Sequence, residues 1–363
     1  MTAPAEAERS RGFVERHGTK LVLSLIFGAG LGTIAARGGL PLVPPRSAFA
    51  GVSLGLVALY PLLFGLAQIV RALRWRHLLR AVGHVPIRAI LGVSFIGYAA
   101  ILLGPLRSGE FVRPLLISRR GGVRLVEATG TIGAERVIDG LTLNVVLFAA
   151  LRLATTLDPL PDRVGDLPVS VRAVPGAAYT MLGVFMAAFA AMALFYWRRE
   201  LARRLTFAVL GVFSKRAADA VAGTVERLAQ GLRFLPSPSH VGPYLGETIT
   251  YWGLNAVGLM VLARGVGLEG TTLAQAAVIL GCIGIGVLVP SGPGFFGAFQ
   301  LSMFLALAMF FPESALRGPG AAFVFLTYTF QVTWTLLAAL VGALLYRSAP
   351  VVEENLAQPP SAG

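Results

Sequence analysis

The sequence predicts an all-α polytopic membrane protein with about six full spans plus two re-entrant helical hairpins arranged as inverted repeats. The first observation behind this prediction is composition, since 55% of the 363 residues are hydrophobic, 13% are charged and the mean hydropathy is +0.73. Soluble globular chains of ordinary composition are less apolar. The other two observations are arginine clusters that separate apolar segments, and a helix-breaking motif that occurs in each half of the chain.

Composition also excludes several classes of protein. The net charge of +13 does not indicate nucleic-acid binding, because the basic residues flank apolar segments in short runs. Positive charge at such places orients helices and contacts anionic lipids at the cytoplasmic face. Cys282 is the only cysteine and the histidines are scattered, so the sequence predicts no disulfide framework, no metal site and no cofactor.

The apolar segments that predict membrane helices are separated by loops of unequal charge. The positive-inside rule places the arginine-rich loops, and with them both termini, in the cytoplasm. Among these arginines we interpret Arg71, Arg74 and Arg76, with Trp75, as an interfacial anchor. The apolar segments lie at 20–36, 48–70, 87–104, 125–154, 175–197, 241–263, 271–289, 295–311 and 320–346.

Two of these regions are predicted to be re-entrant hairpins. The segment 87–117 has arginine clusters on both sides, so it crosses an even number of times, and Gly104-Pro105 breaks it in the middle. A second breaker starts at Pro290, inside 271–311, and shares a Pro-x-x-x-Gly-x-Phe spacing with the first. The chain therefore divides into an N-terminal segment with the first helix (1–47), a first repeat (48–154), an outer loop, helix and cytoplasmic amphipathic segment (155–240), a second repeat (241–346) and a disordered tail (347–363).

The segment at 125–154 carries ionisable residues deep inside its apolar stretch. At ~1.5 Å per helical residue, Glu135 and Asp139 would lie roughly 12 and 18 Å below the membrane surface. Their i, i+4 spacing places both carboxylates on one helix face, and Arg136 can pair with Asp139. They can bind a cationic headgroup or carry a proton, and the alternative is a structural ion pair with Arg113 or Glu110 of the hairpin.

Two further groups are candidates for substrate binding. After the first breaker, Arg113 and Arg107 can hold an anionic phosphate, with Glu110 nearby; alternatively Glu110 and Arg113 neutralise each other. The second breaker exposes backbone amides at the start of a helix, which suits an anion, although a packing turn explains it equally. The candidate residues there are Pro290, Gly292, Gly294, Gly297 and Gln300.

The sequence contains four motifs in this order: Arg71-Ala-Leu-Arg-Trp75, Gly109-Glu110-x-x-Arg113-Pro114, Glu135-Arg136-x-x-Asp139 and Pro293-Gly294-x-x-Gly297-x-x-Gln300. Together they resemble the lysylphosphatidylglycerol synthase transmembrane, or flippase-like, family. The family normally has glycine and glutamate where this sequence has Phe295 and Gln300, which removes a carboxylate. Fused members carry an aminoacyl transferase domain, which is expected to be missing from a chain that ends at Gly363.

The resemblance implies a multi-pass protein of the bacterial cytoplasmic membrane that moves a lipid headgroup between leaflets. We therefore expect a protein that translocates a phospholipid or lipid-linked anionic substrate and is not an enzyme. Its expected partners are the lipid substrate and anionic lipids at the cytoplasmic face, and a homo-oligomer is compatible with the sequence. The alternatives are an intramembrane transferase with Glu135 or Asp139 as general base, and a noncatalytic membrane subunit.

Overall fold

The computed structural model describes residues 13–104, 109–212, 214–229 and 238–351. Within these ranges the regular structure is helical, apart from one isolated β-bridge between Val164 and Leu167. The predicted all-α class is therefore confirmed for the described part of the chain. Arg107, most of the first breaker and most of the predicted tail lie outside the described residues.

The helices are numbered α1 to α12 in chain order. The first six are α1 (Phe13–Arg37), α2 (Leu54–Leu79), α3 (Ile87–Leu103), α4 (Val112–Arg120), α5 (Leu125–Leu153) and α6 (Ala173–Trp197). The others are α7 (Arg199–Leu210), α8 (Lys215–Ala229), α9 (Pro238–Gly265), α10 (Leu273–Gly286), α11 (Ala298–Leu307) and α12 (Ala321–Ser348), the last preceded by a single turn and a π-helical turn from Glu313.

Some of these helices are long and apolar enough to cross a membrane. By length and composition, three helices in the described ranges meet that condition: Leu54–Leu79, Ala173–Trp197 and the continuous stretch Glu313–Ser348. Helix α5 is also long, at 29 residues or roughly 43 Å, but it carries Glu135, Arg136 and Asp139 within its length. The polytopic membrane class agrees with these helices.

The helices pack in pairs that join the two halves of the chain. Helix α2 lies along α9, α3 along α12, and α5 along α10. Glycines permit the close approach in two of these pairs: a Cβ on Gly92 of α3 would lie 2.7 Å from the backbone nitrogen of Tyr346, and one on Gly281 of α10 would lie 2.7 Å from Leu147. The helices of one half are thus held mainly by those of the other.

The second breaker is a tight, irregular link between α10 and α11. Gly294, Phe295 and Gly297 all have positive φ angles, of 73°, 59° and 88°. Only glycine adopts such angles without strain. Helix α1 packs against this link, since the Ser24 hydroxyl donates to the Ser291 carbonyl at 2.9 Å and a Cβ on Gly28 would lie 2.6 Å from the Gly292 Cα.

The predicted amphipathic segment between the repeats consists of two helices, α7 and α8, which pack on α6. Ion pairs connect the two helices: Arg199 contacts Glu226, and Arg203 contacts Asp219 at 3.6 Å. Exposed apolar side chains, including Leu205, remain on their outer surface. Such a face suits the membrane interface.

Candidate functional site

A buried cluster of charges joins α2, α4 and α5 in the middle of the protein. Glu135 of α5 accepts a hydrogen bond from Arg113 of α4, with Nη1 to Oε1 at 3.2 Å and the second nitrogen and oxygen 3.1 Å apart. Arg74 of α2 bonds to Asp139 through Nη2, which is also 3.4 Å from Glu135 Oε1. Arg74, Arg113 and Glu135 are completely buried, at 0% exposure. These four side chains therefore neutralise one another.

Aromatic rings surround the arginines of this cluster. The Arg113 guanidinium lies 4.2 Å from the Trp75 ring centroid, and the Arg74 guanidinium lies 5.1 Å from that of Tyr251. The Trp75 indole is held in turn by its hydrogen bond to the Thr131 hydroxyl, at 3.1 Å. A guanidinium is weakly hydrated and stacks on aromatic faces, which makes burial of these charges less costly.

Two further arginines, Arg71 and Arg136, are less completely neutralised. Arg71 lies over the Tyr98 ring at 4.4 Å and its Nη1 donates to the Gln68 carboxamide at 3.4 Å. The Nε atom of Arg71, and both Nε and Nη2 of Arg136, are buried and have no hydrogen-bond partner within the described ranges. Glu110 is close enough to Arg136 to interact with it electrostatically. Counting Glu110, the described residues contribute four arginines and three carboxylates to the cluster.

Arg71 and Arg136 face a large cavity inside the helix bundle. Its volume is about 490 Å³, within the range typical of small-molecule sites. Glu110 and Asp139 also line it, so its charged lining comes from α2, α5 and Glu110, which lies two residues before α4. Elsewhere the lining is largely apolar and includes Leu280, Ile283, Leu288, Phe295 and Phe299. A molecule with a charged group and an apolar chain matches this lining.

The second breaker contributes to this cavity only in part. Gly294 lines the large cavity, whereas Pro290 and Gly292 line a neighbouring pocket of about 120 Å³ that also contains Gly104 of the first breaker. The Gln300 carboxamide oxygen accepts from the Gly297 backbone nitrogen at 2.8 Å, so this side chain caps the start of α11. A Cβ on Gly297 would lie 2.5 Å from Leu31 of α1, which makes Gly297 a packing position.

The carboxylates and arginines that were predicted as site residues lie close together. The alternative interpretation, a structural ion pair between α5 and the first hairpin, requires this proximity. Glu135 pairs with Arg113, while Glu110, Arg136 and Asp139 line the cavity. Arg107 lies outside the described residues.

The prediction of an interfacial anchor at Arg71–Arg76 is wrong for Arg74 and Trp75, which are both fully buried. Helix α2 does not end with its apolar run near residue 70 but continues to Leu79, which carries Arg71 and Arg74 into the bundle. Arg71 and Arg74 are the site residues that sequence reasoning missed. Their i, i+3 spacing, which puts them on one helix face, was the available signal.

A family model described as the lysylphosphatidylglycerol synthase TM region matches residues 21–339. The chain belongs to this family. The match contains every residue of the charged cluster, the cavity lining named above and both breakers. No solved structure matches the chain.

A curated relative in this comparison is a glycosyltransferase, AglD, from Haloferax volcanii. It is 24% identical over 282 residues, which cover 74% of this chain and 45% of the relative. The chain thus spans less than half the length of that protein. The expectation that this family member is not an enzyme is contradicted by a relative with that name, and we withdraw it. The coarser expectation of a lipid-related membrane protein agrees with both comparisons.

Proposed function

We propose that the large cavity binds a phosphate-bearing lipid or lipid-linked substrate and that the protein moves the headgroup of this substrate across the cytoplasmic membrane. The observation that carries the proposal is the division of the cavity lining. Arg71 and Arg136 present to one part of it guanidinium nitrogens that lack a hydrogen-bond partner among the described residues, and apolar side chains line much of the rest. Guanidinium groups bind phosphate oxygens in a planar, two-pronged geometry.

The charge balance supports an anionic rather than a cationic headgroup. Glu135 and Asp139 are already bonded to Arg113 and Arg74, which reduces their capacity to bind an amine. The cluster of four arginines and three carboxylates has an excess of one positive charge. A buried excess charge is costly, and a bound phosphate would neutralise it.

The pattern of helix packing supports two inverted repeats, one from α2 to α5 and one from α9 to α12. A pseudo-twofold relation of these units would exchange α2 with α9, α3 with α10, α4 with α11, and α5 with α12. The packing of α3 on α12 then corresponds to that of α10 on α5, and the packing of α3 on α4 corresponds to that of α10 on α11. Transporters with inverted repeats bind substrates where the two repeats meet.

Short helices support the assignment of re-entrant hairpins. Helices α3 and α4 contain 17 and 9 residues, and α10 and α11 contain 14 and 10. At 1.5 Å per residue, the longest is about 26 Å, less than the ~30 Å hydrocarbon core. We infer that each pair enters the membrane and returns to the same side, which agrees with the small pocket that Gly104 shares with Pro290 and Gly292.

The proposed orientation keeps both termini in the cytoplasm of a bacterial cell. In support, the side that carries the ends of α2 and α12 is rich in arginine, and Arg120 donates to the Tyr346 carbonyl there. The amphipathic helices α7 and α8 would lie at this face, where arginines such as Arg204 attract anionic lipids.

A second candidate function is group transfer from a lipid-linked donor at the same site. The name of the Haloferax volcanii relative favours it, and so does Asp139, whose Oδ1 is buried at the cavity with no hydrogen-bond partner in the described part of the chain. Asp139 would take the proton of an acceptor hydroxyl, and the oxygen of that hydroxyl would bond to the sugar carbon of the donor. The bond from that carbon to the phosphate oxygen would break, and the lipid phosphate would leave beside Arg71 and Arg136.

Reconstituted vesicles distinguish these functions. The full chain is placed in vesicles with fluorescent lipids of varied headgroup, and leaflet exchange is measured by quenching from outside, with and without a proton gradient. We expect Arg136→Gln to abolish exchange and Arg317→Gln, a change in an exposed ion pair with Glu313, to leave it unchanged. If the unaltered protein exchanges none of the lipids between the leaflets, translocation is refuted. If the unaltered protein forms a transfer product from a lipid-linked donor and the Asp139→Asn variant does not, group transfer is established instead.

A further inference from the structure

Four carboxamide side chains line the large cavity, one from each of four long helices. They are Gln68 of α2, Asn144 of α5, Asn255 of α9 and Gln331 of α12. Gln68, Asn144 and Asn255 are buried, with exposures of 5%, 3% and 7%. Polar amides are costly inside a membrane bundle unless they find partners, so their presence on one cavity requires a reason.

The four carboxamides follow the proposed relation between the two repeats. Gln68 and Asn255 are 187 positions apart in the sequence, and Asn144 and Gln331 are also 187 positions apart. The two pairs lie on the helices that the relation exchanges, α2 with α9 and α5 with α12. The arginines of α2 have no such counterpart in α9, since Gly258 and Val261 occupy the positions of Arg71 and Arg74. The carboxamides are thus common to both repeats.

A protein group holds one end of each carboxamide. Asn144 donates from Nδ2 to the Gly140 carbonyl at 2.8 Å, and Asn255 donates to the Tyr251 carbonyl at 2.7 Å. Gln331 donates to the Tyr60 hydroxyl at 2.9 Å. Gln68 accepts from Arg71 at 3.4 Å. The orientation of each amide is therefore fixed before any ligand arrives, which lowers the entropic cost of binding one.

Several polar atoms at this cavity have no hydrogen-bond partner among the residues that the structure describes. They are the Asn144 Oδ1, the Tyr98 hydroxyl and the Trp252 indole nitrogen, each on a side chain that lines the cavity. Asn144 and Tyr98 are 3% and 7% exposed. Together these atoms offer an uncharged set of donors and acceptors. Aromatic rings of Tyr251, Trp252 and Tyr328 lie on the same lining.

We propose that the carboxamides and aromatic rings form a subsite for a polyhydroxylated headgroup, a sugar or polyol attached to the phosphate of the substrate. This inference rests on the proposed function, since Arg71 and Arg136 hold that phosphate. Hydroxyl groups both donate and accept, so they match amide oxygens and nitrogens, and the C–H faces of a sugar ring pack on aromatic rings. A cationic headgroup would instead require carboxylates that are not already paired with arginine, and Glu135 and Asp139 are paired with Arg113 and Arg74.

Competition binding to the full chain in lipid nanodiscs tests the proposal. The probe is radiolabelled polyprenyl phosphate, and the competitors are polyprenyl phosphoglucose, phosphatidylinositol, phosphatidylglycerol and phosphatidylethanolamine. We expect the lipids with hydroxyl-rich headgroups to bind about tenfold more tightly than polyprenyl phosphate or phosphatidylethanolamine. Comparison of polyprenyl phosphoglucose with phosphatidylinositol then shows which lipid carries the headgroup.

Substitutions separate this subsite from the phosphate site. Asn144→Leu and Asn255→Leu each remove an amide whose described hydrogen bond lies within its own helix. Each variant should lower the preference for hydroxylated headgroups about tenfold. The binding of polyprenyl phosphate should change less than about twofold. Thr335→Val is the matched control, because the Thr335 hydroxyl lines the cavity but donates to the Gln331 carbonyl of its own helix. Thermal unfolding of each variant establishes that it is folded.

The outcomes distinguish the two proposals. Suppose that polyprenyl phosphate binds and that Arg136→Gln abolishes this binding, but that headgroup hydroxyls add no affinity. The carboxamide subsite is then refuted and the phosphate site stands. If no phosphate-bearing lipid binds, the proposed function itself fails. Equal effects of Thr335→Val and Asn144→Leu would also overturn the assignment of the subsite.

Discussion

The buried pair of Arg113 and Glu135 allows a quantitative prediction about stability. Arg113 and Glu135 form a direct, fully buried ion pair, so Arg113→Met or Glu135→Gln alone leaves a buried charge without that partner. Removal of one member of a buried ion pair typically costs about 3–5 kcal/mol. We expect each single variant to lose that amount of unfolding free energy.

The double variant Arg113→Met with Glu135→Gln should be more stable than either single variant. It removes both members of the pair together, and the bond between Arg74 and Asp139 remains. The loss of the Arg113 contact with Trp75, at 4.2 Å, is not restored and accounts for about 2 kcal/mol. The expected cost of the double variant is therefore about 2–3 kcal/mol, well below the sum of the single costs.

Equilibrium unfolding in mixed micelles, followed by tryptophan fluorescence, measures these free energies. The matched control is the exposed pair of Arg317 and Glu313, where the same four-variant cycle should give a coupling below about 1 kcal/mol. Additive costs for Arg113→Met and Glu135→Gln would refute the buried pairing of these two residues.

Three further predictions concern glycine and the second breaker. Gly97→Ala would place a Cβ 2.2 Å from the Arg113 Cγ and should destabilise the protein by about 1–3 kcal/mol. The control is Gly253→Ala, whose Cβ meets open space and which should stabilise α9 by up to about 1 kcal/mol. Phe295→Gly should be more stable than Phe295→Ala by about 0.5–1 kcal/mol, since Phe295 has a φ of 59°. Gly28→Ala should cost about 1–3 kcal/mol, because α1 must move away from the breaker. The same micelle titration measures all of these free energies.

Each of these predictions has a contradicting result. A Gly97→Ala variant as stable as Gly253→Ala would mean that Arg113 does not pass this close to α3. A higher stability of Phe295→Ala than Phe295→Gly would mean that this residue is not in the left-handed region. An unchanged Gly28→Ala variant would mean that α1 is not packed on the breaker.

The sequence contained enough information to predict the position of the charged helix but not its full set of partners. Glu135 and Asp139 stand out because carboxylates are rare in apolar segments, and the i, i+4 spacing correctly put them on one face. Arg113 was predicted as an alternative partner of Glu135. Arg74 was not, because hydropathy marks the end of a helix at its first charges. Hydropathy contains no information about the carboxylates that compensate these charges, because they lie 61 and 65 positions away in the sequence.

The second breaker shows a different limit of sequence reasoning. Glycine and proline predicted a break in the helix, and Gly294 and Gly297 indeed have positive φ angles. Which side of the break faces the cavity depends on α1, which is distant in sequence and packs on Gly297 through Leu31. The roles of Pro290, Gly292, Gly294, Gly297 and Gln300 in substrate binding remain predictions.

The contact between α1 and the second breaker has a practical consequence. At Gly28 and Gly292 the two backbones are too close for even a methyl group, and Ser24 bonds to Ser291. The breaker cannot change its conformation without displacing α1. Because Ile26 on the other side of α1 is 61% exposed, a spin label at that position would report rearrangements of the bundle interior from its outer surface, without any substitution in the cavity.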